Sequence, residues 1–239
     1  MTPAPGAPRG VFVSGTDTDV GKTVVAAAIA ATLAARGERV AVFKPAVTGL
    51  DELQGRLPDH EVLRMSARSS QTPAAISPYR FKPAVSPHLA ATLAGAQVER
   101  SLVVRAARRA AAGCDALVAE GVGGLLVPLE RDYLVRDFAV DLGLPLVIAA
   151  RPALGTINHT LLTLESARSV GLEVAAVVLT PWPDAPGEIE VSNEQTIVSV
   201  GGVDTVRLPR LDTARPIGPV PALPVERWLA PPAIVRAAA

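Results

Sequence analysis

Short apolar runs alternate with longer helical patterns along most of the chain. VFVS, residues 11–14, reads as a short buried strand running into a glycine loop. The segment KTVVAAAIAATLAARGE behind that loop is Ala-rich, propagates well as helix and finds a C-cap in Gly37. RVAVFKP reads as a second buried strand, stopped by Pro45. A strand-loop-helix-strand unit makes these two strands parallel, with a right-handed crossover. Residues 46–97 are less regular. There PDHEVLRMSA predicts a helix opened by Pro58 or Asp59, and SPYRFKPAVSPHLAA predicts an ordered surface loop ending in a helix near His88. VERSLVVRAARRAAAG follows as a helix, with apolar Val98, Leu102, Val103 and Ala106. DALVAEGVGGLLVPL is a strand entering a glycine loop, RDFAVDLG a short helix, and LPLVIAA another strand. GTINHTLLTLESARSVG is a helix capped at Gly171, EVAAVVLT a strand stopped at Pro181, GEIEVSNEQTIVSVGG a weaker helix, and VDTVRLP a last strand. This alternation predicts a single α/β domain over residues 10–239, with a mostly parallel central sheet and helices on both faces. Residues 1–9 read as a flexible leader. Residues 209–239, with seven prolines from Pro209 to Pro232, read as an irregular wrap over the sheet edge.

Composition narrows the core and the partners. The 239 residues are 49% hydrophobic but only 3% aromatic, so Ala, Val and Leu must fill the interior, as in buried parallel strands under Ala-rich helices. The 23 basic and 23 acidic residues cancel, which argues against nucleic-acid and anionic-membrane partners. The arginines of the fourth helical pattern (Arg100, Arg105, Arg108, Arg109) accordingly read as a solvated face. A lone cysteine, Cys114, forms no internal disulfide and fits a reducing compartment; it reads as a packed thiol. With no apolar run near ~20 residues and no signal peptide, the expectation is a cytoplasmic protein.

The chemistry begins at SGTDTDVGKT, residues 14–23. A phosphate loop is usually spelled G-x-x-x-x-G-K-[ST]. Here Thr16 holds the first glycine slot, Gly15 comes one place early, and two acids, Asp17 and Asp19, stand in a loop that must embrace a polyanion. Strand before and helix after supply the context of a P-loop NTPase fold. Lys22 is then placed for the β- and γ-phosphates and Thr23 for Mg²⁺. The backbone amides from Thr18 through Asp19, Val20 and Gly21 to Thr23 face the phosphates. A plain strand-to-helix turn would explain Gly21 but not the lysine followed by threonine.

Two further strands end in candidates. Lys44, in FKPAVTG, lies at the carboxyl edge of the second strand, where the crevice of a parallel sheet opens; a strand-end lysine can also merely solvate its ammonium. Glu120, in ALVAEGVGG, follows an apolar run as a metal-holding acid does. Gly121, Gly123 and Gly124 let backbone approach a ligand there; the alternative is a glycine turn beside a solvated acid. Asp59 stands as metal ligand or helix N-cap.

GTDTDVGKT, KPAVTG, SPH, EGVGGLLVPL and GTINHTLLTLE, in that order over residues 10–180, resemble the dethiobiotin synthetase family of the P-loop superfamily. The resemblance implies closure of a cyclic urea. 7,8-Diaminononanoate takes up CO₂ as a carbamate, ATP phosphorylates it, and the second amine displaces phosphate, yielding dethiobiotin for biotin synthesis. It implies a homodimer with substrate near the interface. It assigns catalysis to Lys44, Lys22 and Thr18. Asp19, Val20, Gly21, Lys22, Thr23, Glu120, Gly123, Thr180 and Pro209 are assigned to the nucleotide. The Mg²⁺ shell falls to Thr23, Asp59 and Glu120, and substrate contacts to Thr18, Lys44, Thr48, Ser86, Gly155, Thr156 and Asn158. Thr18 and Asp19 then sit where nucleotide, metal and a cationic diamine meet, so a carboxylate in the loop offsets positive charge. His88 is structural or functional; His159 reads as a packing or capping residue rather than a base. Thr180 is a departure, because some family members place an adenine-reading asparagine there. The co-substrate is therefore ATP or another triphosphate such as CTP. A ParA/MinD-like ATPase switch is the rival reading, but no lysine lies between Gly15 and Gly21 and no membrane helix or basic face stands out. An amidotransferase-related synthetase would need a glutaminase domain that 239 residues do not hold.

Overall fold

The computed structural model describes residues 9–229. Along the chain it runs β1 (Gly10–Gly15), α1 (Lys22–Ala35), β2 (Val40–Phe43), β3 (Ala46–Val47), a 3₁₀ turn (Leu50–Glu52), α2 (Asp59–Ser66) and α3 (Pro73–Ile76). Then come β4 (Tyr79–Arg80), α4 (Pro87–Leu93), α5 (Arg100–Ala111), β5 (Ala116–Gly124), β6 (Pro128–Glu130), β7 (Tyr133–Leu134) and α6 (Val135–Leu142). The last third holds β8 (Leu146–Ala150), α7 (Thr156–Arg168), β9 (Val174–Trp182), α8 (Glu188–Gly201), β10 (Thr205–Pro209) and α9 (Val225–Trp228). No helix among these is long and apolar enough to cross a membrane.

Six strands form one sheet in the order β10-β9-β8-β1-β5-β2, every pair parallel. β1 and β2 are parallel as their pattern predicts, but β5 inserts between them. The chain builds outward on one side of β1 and then on the other, so the crevice beyond the carboxyl end of β1 is where a ligand of such a sheet binds. Successive side chains alternate between faces. Phe12, Leu117, Ile148 and Leu179 pack with Val103 of α5, Phe138 of α6 and Leu164 of α7. Val13, Val118, Val147 and Val178 pack with Ile29 of α1, Leu63 of α2 and Trp228 of α9. Both faces are covered, and this is why the strands read as continuous apolar runs.

α1 has almost no polar face, and a helix apolar all round has to be covered all round. α2 lies on one side of it. The proline-rich tail lies on another, so the wrap crosses the α1 face of the sheet rather than the sheet edge. Ile217, Leu223 and Trp228 are buried there. The Val220 amide donates to Thr32 Oγ1 at 2.9 Å, and the Ile217 amide to Ser66 Oγ at 2.9 Å. The tail is not wholly irregular, since it contains α9. Arg9, the last residue of the expected leader, is tied by ion pairs to Glu38 and Glu226; the rest of the leader and residues 230–239 lie outside the described residues.

Other expectations shift locally. The glycines of EGVGG belong to β5, which runs to Gly124. β9 continues through Pro181 to Trp182. The expected surface loop carries β4, which pairs in parallel with β3, and a small antiparallel β6–β7 hairpin precedes α6.

Candidate active site

The P-loop joins β1 to α1 and folds back on itself. A Cβ on Gly15 would lie 2.6 Å from Cγ2 of Val20 and 2.9 Å from Cγ of Lys22, so the early glycine is required by the return of the loop over its own start. Gly21, at φ 95°, turns the chain into α1 in the left-handed region. α1 has no side-chain cap and no acid in its first turn. Its first backbone bond is Val25 N–H to Gly21 O, leaving the amides of Lys22, Thr23 and Val24 without helical partners. Free amides and the positive end of the helix dipole suit an anion. The two loop acids do not point into this cradle as caps. Asp17 accepts from the neighbouring Thr18 amide at 2.7 Å, and Asp19 sits at φ 57°, its side chain in solvent. Lys22 Nζ rests on the Asp17 carbonyl at 2.7 Å. Burial, and then repulsion from Lys44, pull its pKa down to about 8.

Strand alternation supplies the second half of the site. Val118 faces α1, so Glu120, two residues on, faces it too. Val13 and Glu120 are register partners, as are Phe43 and Ala119, which puts Lys44 beside Glu120. Lys44 Nζ donates to Glu120 Oε1 at 2.6 Å and to Asp59 Oδ2 at 2.5 Å. Asp59 comes from the first turn of α2; Pro58, not Asp59, holds the N-cap position there. Thr23 Oγ1 donates to the same Glu120 oxygen at 2.8 Å. Lys44 and Glu120 are buried, and Asp59 is partly open. Burial alone would lower the Lys44 pKa; Asp59 and Glu120 more than reverse that and leave it raised. Burial would raise Asp59, but Lys44 brings it below the usual carboxylate range. Burial dominates at Glu120, which stays raised despite Lys44.

A divalent cation fits this donor set. Glu120 Oε2 is buried and has no hydrogen-bond partner among the described residues, while Oε1 is fully used. Two carboxylates and a hydroxyl are hard oxygen ligands of the kind Mg²⁺ prefers. Among the described residues no three His, Cys, Asp or Glu side chains form a complete cage. Such a site would leave the remaining positions to phosphate and water.

The other predicted residues are spread over several elements. Val20 is buried under the loop; Thr18 is exposed, close above Gly123, whose φ is 62°. Thr48 follows β3 and Ser86 precedes α4, both half-buried. Gly155, at φ 90°, opens α7 without a side-chain cap; Thr156 is buried and Asn158 exposed. Pro209 ends β10 opposite Trp182 of β9. Thr180 is buried, with its methyl pressed on the P-loop: a Cβ on Gly21 would lie 2.6 Å from Thr180 Cγ2. His88 has a buried Nδ1 without a partner among the described residues, and His159 lies exposed on α7. Cys114 is half-buried, with Sγ 3.7 Å from the Ala110 carbonyl, at the opposite end of β5 from the site. The sequence reading missed Arg151, just past β8, which bonds the loop at the Asp19 carbonyl. The rule that singled out Lys44, a cation directly after a buried strand, applies to it equally.

A lysine-bearing loop over an uncapped helix start, at the crevice of a parallel sheet, places this chain among the P-loop nucleotide-binding proteins. A family model described as an AAA domain matches residues 9–224. The ATP-dependent dethiobiotin synthetase BioD of Bacillus subtilis (strain 168) is 39% identical over 197 residues, covering 82% of this chain and 84% of the relative. Its counterpart in Anaeromyxobacter dehalogenans (strain 2CP-1 / ATCC BAA-258) is 46% identical over 171 residues, covering 72% and 76%. The chain belongs to the ATP-dependent dethiobiotin synthetase family. Among solved structures, a ParA family ATPase from Chlorobium tepidum TLS superposes with a TM-score of 0.55 at 13% identity, over 86% of this chain and 85% of that one; this likeness is one of fold.

Proposed function

We propose that the chain is a Mg²⁺-dependent dethiobiotin synthetase, turning 7,8-diaminononanoate, CO₂ and ATP into dethiobiotin, ADP and phosphate. The observation that carries the reading is Glu120 Oε1, which accepts from both Thr23 Oγ1 and Lys44 Nζ. That shared acceptor ties a second cation to the P-loop, where a bare phosphate cradle needs only Lys22. Family membership supplies the reaction.

In the reaction a carbamate oxygen of the substrate attacks the γ-phosphorus and ADP leaves. The free amine then attacks the carbamoyl carbon, closing the ring and releasing phosphate. Phosphoryl transfer asks the protein mainly for placement and charge neutralisation. Lys22 and the loop amides hold the phosphates. Lys44 holds the carbamate against the γ-phosphate, and Thr18, Thr48 and Ser86 line the diamine. Thr23, Glu120 and Asp59 would hold Mg²⁺, which would offset the charge of the phosphates. The exposed Asp17 and Asp19 give the mouth of the site the negative charge that a cationic diamine favours.

Gly155, Thr156 and Asn158 are assigned to the substrate carboxylate of a partner subunit in a homodimer. Support comes from apolar surface on the same segment: Leu154 is 92% exposed and Leu162 55%. Sedimentation is expected to give twice the chain mass. Leu162→Asp is expected to yield a monomer that binds triphosphate but loses diamine-dependent turnover. A wild-type monomer with full turnover would remove the partner from the site.

The nucleotide base falls to Thr180 and Pro209; a threonine carries a hydroxyl and a methyl but no side-chain amide, and here the methyl faces Gly21. ATP and CTP are therefore expected to support turnover within about tenfold of each other, the size of one modest contact. The test is phosphate release with Mg²⁺, bicarbonate and diamine, with mass detection of the cyclic urea. Release that ignores the diamine would sink the synthetase reading.

A further inference from the structure

Arg151 has no part in the chemistry above. It stands one residue past β8, exposed, and its Nη2 donates to the Asp19 carbonyl at 3.0 Å. Asp19 is the one loop residue other than glycine in the left-handed region, at φ 57°, where an L-residue is strained and needs its surroundings to keep it there. A trans peptide points its C=O and the following N–H in opposite directions. Holding the Asp19 carbonyl therefore sets the direction of the Val20 amide, one of the donors that meets phosphate.

Lys22 makes the matching contact on the other side of the turn, to the Asp17 carbonyl. That contact is not reserved for the loop, because the Lys22 ammonium is also the group a β- or γ-phosphate draws to itself. Arg151 acts from the carbonyl side of its peptide and does not compete with the phosphate. Its own backbone is anchored as well. Asn193 of α8, buried, donates from Nδ2 to the Pro152 carbonyl at 3.3 Å and to the Ala153 carbonyl at 3.2 Å. A rigid helix thus holds the segment from which Arg151 reaches the loop.

We propose that Arg151 is a positioning residue for triphosphate binding, locking the Asp19–Val20 peptide so that the Val20 amide is aimed before the phosphates arrive. The proposal rests on the phosphate-binding reading of the loop and not on urea closure.

The test is calorimetric titration of wild type, Arg151→Met and Arg151→Lys with ATP and, separately, with inorganic tripolyphosphate, each with Mg²⁺ and without diamine. Because Arg151 is exposed, the variants are expected to melt with the wild type. Arg151→Met is expected to weaken both ligands about tenfold, the scale of one charge-assisted hydrogen bond. Arg151→Lys, shorter by one bond and still cationic, is expected to recover part of the loss. Unchanged affinity in Arg151→Met overturns the proposal. So does a loss confined to ATP, which would make Arg151 a contact to the nucleoside. Failure of wild type to bind either ligand would overturn the phosphate-loop reading beneath it.

Discussion

Lys44→Ala is expected to lower turnover by roughly three orders of magnitude or more, the scale on which fixed cations act in phosphoryl and acyl transfer. The sequence alone predicts a clean catalytic loss on an intact fold. The structure changes that expectation. Lys44 is buried between Glu120 and Asp59, and Glu120 is fully enclosed. Removing the lysine leaves Glu120 as an unpaired buried charge or forces it to take up a proton. Breaking a buried pair from one side costs about 3–5 kcal/mol, a large part of the stability of a typical domain. A dead Lys44→Ala enzyme would therefore prove little by itself. The pair of variants that separates the two effects is Lys44→Met and Lys44→Met with Glu120→Gln. The second removes the stranded charge and is expected to unfold in urea nearer to wild type. Neither is expected to make product. A stable double variant with more than a tenth of wild-type turnover would remove Lys44 from the chemistry and leave it as the counter-ion of Glu120.

What the sequence reveals of this site, and what it hides, follows from the range of the interactions. The P-loop is local: Gly15, Gly21, Lys22 and Thr23 sit within nine residues, and the strand and helix around them are read from their own periodicity. Lys44 and Glu120 are visible as polar residues closing apolar runs. Their meeting is not, because it needs β5 to insert between β1 and β2, and pairing across 76 positions leaves no local trace. Asp59 joins them only because α2 packs on the same face as α1. Two-residue strands such as β3, β4 and β7 are too short to show a period of two. The tail shows turn residues and scattered Ile217, Leu223 and Trp228, and only the bare apolar surface of α1 explains where these go. Thr180 reads from the sequence as a nucleotide contact with an amide missing. In the fold its methyl is a wall against Gly21, a tertiary relation that no motif encodes.

That wall makes Gly21 the second position of large effect. Gly21→Ala is expected to weaken triphosphate binding about a hundredfold, for two separable reasons. The backbone at φ 95° lies in the left-handed region, where alanine costs roughly 1–2 kcal/mol more than glycine. The new Cβ would also fall 2.6 Å from Thr180 Cγ2, so loop or strand must shift, a misfit of the kind that costs about 1–3 kcal/mol. Either shift moves the amides of Gly21, Lys22 and Thr23 away from the phosphates, and about 1.4 kcal/mol suffices for a tenfold loss of affinity. Thr180→Ser removes the offending methyl and keeps the hydroxyl. Combined with Gly21→Ala it is expected to restore about tenfold, leaving the backbone part of the defect in place. Equilibrium titration with ATP measures both steps. No recovery in the double variant would mean that the left-handed turn alone requires the glycine. Wild-type affinity in Gly21→Ala would mean that the loop closes on phosphate with a geometry other than the one it has here.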